Sequence, residues 1–205
     1  MNWLWNAGDY LGVWGKKYRL LVFGLENAGK TSLLNIIKDK AFDPQKSVLP
    51  TTQPIHFDEL KFGGFRFQAY DFPGGPGVEK FESYFDAADC VLYVVDSGNS
   101  ATFLQAKKQI TFLLKHPKLI KTPIGILANK SDLEDAKNEH FLSRELFEDD
   151  KEKKEVKEDE DVEDKEEERL YLGSILRRRS GVKDVFRWFK RKLEPVAEVT
   201  GVPGK

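Results

Sequence analysis

A pattern able to hold a phosphate group lies near the start of the chain. The residues GLENAGKT, from Gly24 to Thr31, match GxxxxGK[ST], with an apolar run before them and a helical pattern after them. Glycines let the backbone wrap a phosphate, helix N-terminal amides and Lys30 bind its oxygens, and the Thr31 hydroxyl reaches Mg²⁺. A glycine turn that merely precedes Lys-Thr is the alternative. The residues predicted to bind nucleotide here are Glu26, Asn27, Ala28, Gly29, Lys30, Thr31 and Ser32.

A second pattern indicates which base the nucleotide carries. The apolar run IGILA ends in Asn129, Lys130, Ser131 and Asp132, which form an NKxD box. The Asp132 carboxylate can accept two hydrogen bonds from guanine, whereas adenine lacks this donor pair and would leave the carboxylate unpaired. Asn129 and the stem of Lys130 are expected to brace the loop and cover the base. Both patterns in one chain, each after an apolar strand, favour GTP over ATP.

The third pattern is a DxxG sequence between the other two. The run FRFQAY leads into Asp71, Phe72, Pro73 and Gly74. In GTPases an aspartate at this strand end holds Mg²⁺ through water, and the glycine N–H contacts the γ-phosphate. DxxG alone is a weak pattern, and its value comes from its position in the chain.

Composition narrows the class of protein. A chain of 205 residues with 40% hydrophobic content suits one α/β domain. A net charge of −1 and a pI near 6.4 argue against general nucleic-acid binding. Cys90 is the single cysteine, so an intrachain disulfide is impossible. We expect Cys90 to be a core residue of a protein in a reducing compartment. No apolar run approaches the roughly 20 residues of a membrane span, and no signal peptide is visible.

Strand and helix patterns alternate along the chain. Strands are predicted at 19–23, 55–61, 65–70, 91–95, 124–127 and 170–172, and helices after Lys30 and near 79–85, 101–115, 138–147 and 182–193. This alternation predicts an α/β fold of the phosphate-loop small GTPase type, a mostly parallel six-stranded sheet with helices on both faces. The ligand loops then meet at the carboxyl ends of the strands, where all three patterns fall.

The predicted GTPase domain spans 18–194 and is flanked or interrupted by three unusual segments. Residues 1–17 are expected to form an amphipathic helix with an aromatic stripe, suited either to a lipid headgroup boundary or to the domain's own surface. Residues 148–168 are almost entirely charged, so we expect an acidic insert that is disordered or a solvated helix. Residues 195–205 are expected to form a flexible tail. Asn2 excludes N-myristoylation, which leaves the first segment as the visible membrane anchor.

Most of the chain resembles the Sar branch of the Arf-related small GTPases, which starts COPII coat assembly at the endoplasmic reticulum. GLENAGKT is similar to the family's GLDNAGKT, LPTTQP (49–54) to its switch I pattern PTxxP, and SILRR (174–178) to its last guanine loop. The resemblance implies Thr31, Thr51 and Asp71 as Mg²⁺ ligands, and Lys30, Thr51 and Gly74 as the residues that act in hydrolysis. It also implies that Ser174, Ile175 and Leu176 contact the nucleotide.

Switch II departs from the family pattern. The chain reads DFPGGP where the Sar proteins have DLGGH and Arf has DVGGQ. Pro76 is taken to occupy the place of the His or Gln side chain that positions the attacking water. A proline ring can neither donate nor accept a hydrogen bond to orient water, so we expect slow GTP hydrolysis with binding retained.

Three functions are compatible with these patterns. The first is a Sar-like GTP-binding switch with GTP or GDP and Mg²⁺, cycling between the cytosol and the cytoplasmic face of the endoplasmic reticulum and Golgi membranes. Its partners would be COPII coat proteins, an exchange factor and an activating protein. The second is a GTP-bound scaffold that does not hydrolyse. The third, an ATP-using phosphate-loop kinase, is disfavoured by Asp132.

Overall fold

The computed structural model describes residues 16–39, 56–62, 65–147, 170–172 and 180–194. Within these ranges the strands are β1 (Lys17–Phe23), β2 (His56–Phe62), β3 (Phe65–Asp71), β4 (Cys90–Asp96), β5 (Ile124–Asn129) and β6 (Leu170–Leu172). They form a six-stranded sheet in the order β2-β3-β1-β4-β5-β6. Only the β2–β3 pair is antiparallel among them, which confirms the mostly parallel sheet.

Helices cover both faces of this sheet. The α-helices are α1 (Lys30–Asp39), α2 (Phe103–Lys115), α3 (Glu139–Phe147) and α4 (Ser180–Leu193). Because side chains alternate along a strand, Leu20 and Val22 of β1 pack with residues of α1 and α4, whereas Leu21 and Phe23 pack with residues of α2 and α3. Burying each of these side chains stabilises the fold by about 1.5–3 kcal/mol. The two cores hold β1 firmly, so the loop that follows it has a fixed starting point.

The burial of each strand follows its place in the sheet. All of β5, and β4 except its last residue Asp96, is buried, as expected for parallel strands covered on both faces. In β3 buried residues alternate with partly exposed ones, because this strand lies near the edge formed by β2. The strands that carry the three sequence patterns are β1, β3 and β5, and of these β5 is buried throughout and β3 is partly exposed.

The predicted elements are present with small changes. The helix expected near 79–85 is a 3₁₀ segment, Val78–Ala87, interrupted by non-helical angles at Phe81. Its aromatic side chains pack on the sheet, with the Phe81 ring 4.6 Å from that of Phe72, and this packing outweighs helix propensity. Short 3₁₀ turns also occur at Ser100–Thr102 and Pro117–Leu119. The latter was not predicted.

Several sequence predictions fall outside the described residues. They are the helix proposed for the N-terminal segment, apart from its last two positions, the acidic insert at 148–168 and the tail at 195–205. Lys17 already belongs to β1, so the first strand begins inside the range assigned to the N-terminal helix. Within the described ranges, the helices are too short or too polar to span a bilayer.

Candidate functional site

The loop between β1 and α1 turns back sharply toward the sheet. Gly24 has φ +142° and Gly29 has φ +95°, and between them Asn27 adopts a left-handed conformation with φ 60°. A β-carbon on Gly24 would overlap the carbonyl oxygen of Val94 in β4, so this position accepts only glycine. The loop delivers the first turn of α1, beginning at Lys30, to the carboxyl edge of the sheet. An anion placed there meets the amides of a helix N-terminus.

Lys30 is buried inside this loop. Its side chain is 2% exposed, and its Nζ donates hydrogen bonds to the carbonyl oxygens of Gly24 at 2.8 Å and Leu25 at 2.9 Å. Burial lowers the pKa of Lys30, while the nearby carboxylates of Asp71 and Glu26 act in the opposite direction. The ammonium group is thus held under the loop. Burial disfavours its positive charge, and the negative charge of a bound phosphate group would compensate for this.

Thr31 and Asp71 bring a hydroxyl and a carboxylate together beside the loop. Thr31 Oγ1 in the first turn of α1 donates to Asp71 Oδ2 at the end of β3, with 2.5 Å between the oxygens. Asp71 is 7% exposed. Oxygen atoms of this kind are the ligands that Mg²⁺ prefers, usually with water and substrate phosphates completing its shell. The two residues therefore fit the magnesium role predicted for them.

The NKxD box is tied directly to the phosphate-binding loop. Asn129 closes β5, is 3% exposed, and donates a 2.8 Å hydrogen bond from Nδ2 to the carbonyl oxygen of Ala28. Its own carbonyl accepts from the Ser97 hydroxyl at 2.6 Å and from the Ser97 amide at 2.9 Å. Three chain segments, after β1, β4 and β5, are thereby held in one arrangement. We call the Asn129–Ala28 bond the loop clamp.

The rest of the box forms a tight turn. Lys130 has φ 64°, its Nζ lies 2.7 Å from Asp96 Oδ2, and its carbonyl accepts from the amide of Leu133 at 3.1 Å. Asp132 lies within this turn and is partly exposed. The Lys130 ammonium group is therefore held at Asp96, the last residue of β4.

Switch II rests against the phosphate-binding loop. A β-carbon on Gly74 would overlap the backbone of Leu25 and Glu26, so the DxxG glycine is in close contact with the loop. Phe72, two residues earlier, is 1% exposed and its ring lies 4.4 Å from Phe23 and 5.2 Å from Tyr84. This aromatic packing anchors the start of switch II to the core.

The predicted role of Pro76 needs a correction. In the patterns DLGGH and DVGGQ the water-positioning residue directly follows the DxxG glycine. In this chain the residue after Gly74 is Gly75, and Pro76 lies one position further along. Aligned on DxxG, the place of the His or Gln side chain is therefore Gly75 and not Pro76. Gly75 has no side chain, so switch II lacks a water-positioning group at this place as well.

The described residues bring together most, but not all, of the predicted site. Thr51 of switch I and the loop residues Ser174, Ile175 and Leu176 lie outside the described ranges. Sequence reasoning missed Ser97 and Asp96, which brace the NKxD box from the end of β4. Their position in the sequence could have indicated this role, because β4 also ends at the ligand-binding edge of the sheet.

The fold and the site together define an α/β domain of the small-GTPase class. The profile of the ADP-ribosylation factor family matches residues 6–193. The chain belongs to this family.

Relatives from more than one branch of the family are similar to it. The small COPII coat GTPase SAR1 of Giardia intestinalis is 36% identical over 66% of this chain and 69% of that protein. ADP-ribosylation factor-like protein 3 of Chlamydomonas reinhardtii is 32% identical over 56% of this chain and 63% of that protein. SAR1 of Nicotiana tabacum is 34% identical over 56% of each chain. The aligned part therefore covers between 56% and 69% of each relative's length.

A solved structure shows the same fold. The Arl6 BBS3 small GTPase from Trypanosoma brucei, with a bound nucleotide analogue GppNp, superposes with a TM-score of 0.65 at 22% identity. The match covers 87% of this chain and 98% of that one.

Proposed function

We propose that this chain binds guanine nucleotide with Mg²⁺ and works as a nucleotide-dependent switch. The loop clamp is the observation that carries the proposal, because Asn129 at one end of the site fixes Ala28 of the phosphate-binding loop at the other. A phosphate-binding loop alone is compatible with ATP or GTP. Its attachment to a turn containing Asp132 supports a site for a phosphate chain and a guanine base together.

Each residue has a defined role in this proposal. Lys30 and the amides of the loop hold the β- and γ-phosphates, and Asp132 selects guanine by accepting two hydrogen bonds. Thr31 and Asp71 hold Mg²⁺, which would neutralise phosphate charge, and Thr51 joins them when switch I closes. Gly74 senses the γ-phosphate through its amide. Ser174, Ile175 and Leu176 complete the base pocket.

The cellular role we propose is that of a Sar-like trafficking switch. In the GTP form, the aromatic N-terminal segment at 1–15 inserts into the cytoplasmic leaflet of the endoplasmic reticulum, and the ordered switch regions recruit COPII coat proteins. The SAR1 proteins of Giardia intestinalis and Nicotiana tabacum support this assignment. The ADP-ribosylation factor-like proteins are similar to this chain at comparable identity. A role at a membrane other than the endoplasmic reticulum is therefore the competing assignment.

A second candidate is a GTP-bound scaffold that does not turn over. Its support is the absence of a side chain at Gly75, where the family patterns carry the water-positioning group. The presence of Lys30, Thr31 and Asp71 in a binding geometry argues that nucleotide is held in either case.

The experiment is nucleotide analysis combined with liposome flotation. The purified protein is expected to contain guanine nucleotide, and its GTP-loaded form should float with liposomes of endoplasmic reticulum composition more than its GDP-loaded form. A matched variant lacking residues 1–15 serves as the control and should not float. Equal partitioning of the two loaded forms contradicts the switch, whereas GTP that stays intact over hours favours the scaffold.

A further inference from the structure

The two glycines of switch II lie against one side chain of the phosphate-binding loop. A β-carbon on Gly74 would overlap the backbone of Glu26, and a β-carbon on Gly75 would lie 2.7 Å from Glu26 Oε1 and 3.8 Å from its Cδ. The Glu26 carboxylate therefore fills the space that a side chain at position 75 would need. The glycine at 75 and the acid at 26 fit each other.

Glu26 also belongs to the loop whose carbonyl oxygens hold the Lys30 ammonium group. Glu26 directly follows Leu25, whose carbonyl oxygen accepts a hydrogen bond from Lys30 Nζ at 2.9 Å. Glu26 itself is exposed, so water reaches it. An acceptor in this position lies between the lysine that holds the β- and γ-phosphates and the segment from which a water-positioning group normally comes.

We propose that Glu26 takes over the positioning of the attacking water that switch II cannot perform. This proposal rests on the proposed function as a GTP-binding protein. One carboxylate oxygen accepts a hydrogen bond from the water and aims its oxygen at the γ-phosphorus. The new bond joins the water oxygen to phosphorus, and the bond from phosphorus to the β–γ bridging oxygen breaks, leaving its electron pair on GDP. The water proton passes to the Glu26 carboxylate and from there to the released phosphate.

The electrostatics of the site are compatible with this role. A carboxylate near a triphosphate is repelled in isolation, but Lys30 and the amides at the start of α1 supply compensating positive charge. The repulsion is smallest when negative charge moves from the γ-phosphate toward the leaving GDP, as in a loose transition state. Glu26 would therefore favour the transition state over bound GTP, which is the condition for catalysis.

The test is single-turnover GTP hydrolysis by Glu26→Gln and Glu26→Ala variants of the full chain. Glutamine keeps the size of the side chain and an acceptor oxygen but cannot take the water proton, so a packing role alone predicts an unchanged rate and the proposed proton acceptor predicts a loss. We expect both variants to hydrolyse about 10²-fold more slowly than the wild type, the lower end of the range for a positioned acid or base. Binding of a fluorescent GTP analogue should not weaken, because the loop residues other than Lys30 hold the phosphates through backbone amides, which these side-chain changes leave in place. Glu145→Gln, the same change on the exposed side of α3, is the matched control and should keep the wild-type rate.

Two rescue experiments separate positioning from a general disturbance. Formate added to Glu26→Ala should restore part of the rate, because it returns a carboxylate to the space left open. The double variant Glu26→Ala with Gly75→Gln should also regain hydrolysis, since the space then accepts a side chain from switch II. A wild-type rate no higher than that of Glu26→Gln overturns the proposal. If the wild type binds no GTP at all, the proposed function fails first, and the binding assay shows this separately.

Discussion

Removing the loop clamp should weaken nucleotide binding as well as stability. In Asn129→Ala the carbonyl oxygen of Ala28, which is buried, loses the donor now 2.8 Å away. A buried polar group left without a partner costs about 1–3 kcal/mol. Without nucleotide the loop can relax and reduce this cost. Binding of a nucleotide would return the loop to the geometry in which the Ala28 carbonyl oxygen has no donor. Because each 1.4 kcal/mol is a factor of ten, GDP affinity should fall by about 5- to 150-fold.

Isothermal titration with GDP and urea unfolding of the nucleotide-free protein measure the two effects. The matched control is Asn138→Ala, since Asn138 Oδ1 accepts from the Phe141 amide at 2.9 Å as the cap of α3. That change also removes one asparagine hydrogen bond and should cost about 1 kcal/mol of stability without altering GDP affinity. If Asn129→Ala loses stability while its GDP affinity stays within twofold of wild type, the clamp is structural only and the reasoning is refuted.

Three further predictions concern the framework of the site. Phe72→Ala should lower the free energy of unfolding by about 3–5 kcal/mol in urea titrations, and Phe72→Leu by less, because the ring is buried in an aromatic cluster; equal losses would contradict this. Gly125→Ala should cost about 1–3 kcal/mol, since its β-carbon would lie 2.6 Å from Val185 Cγ2; an unchanged urea midpoint would refute the overpacking. Burial, with the hydrogen bond to Glu194, raises the pKa of Tyr18 from 10.0 to about 12, so its contribution to stability is complete below pH 10 and lost as pH rises through about 12. In Tyr18→Phe this alkaline loss should be smaller, and an identical pH profile of unfolding would show that Tyr18 is not its source.

The order of elements could be predicted because each one carries a local signal. The apolar runs that form β4 and β5 and the phosphate-loop pattern that opens α1 are each contiguous in the sequence. Alternating burial of Leu20 and Leu21 on opposite faces follows from strand geometry alone. Local signals of this kind also placed the three patterns at one edge of the sheet.

The bracing of the site could not be predicted in the same way. The loop clamp joins residues 101 positions apart, and the Thr31–Asp71 contact joins residues 40 positions apart. Such contacts depend on the assembled sheet and leave no spacing to count. The approach of Gly75 to Glu26 is a contact of the same kind. It also depends on placing Gly75, and not Pro76, after the DxxG glycine. The 3₁₀ geometry of Val78–Ala87 likewise depends on ring packing against the core.

Selective binding of guanine over adenine is the property on which the functional proposal depends. Isothermal titration of nucleotide-free protein with GDP and with ADP, each with Mg²⁺ present, measures it directly. GDP should bind at least about 10²-fold more tightly than ADP, because adenine leaves the Asp132 carboxylate unpaired. In Asp132→Ala this preference should largely disappear. Equal affinity for the two nucleotides in the wild type, or no uptake of GDP, would contradict the account.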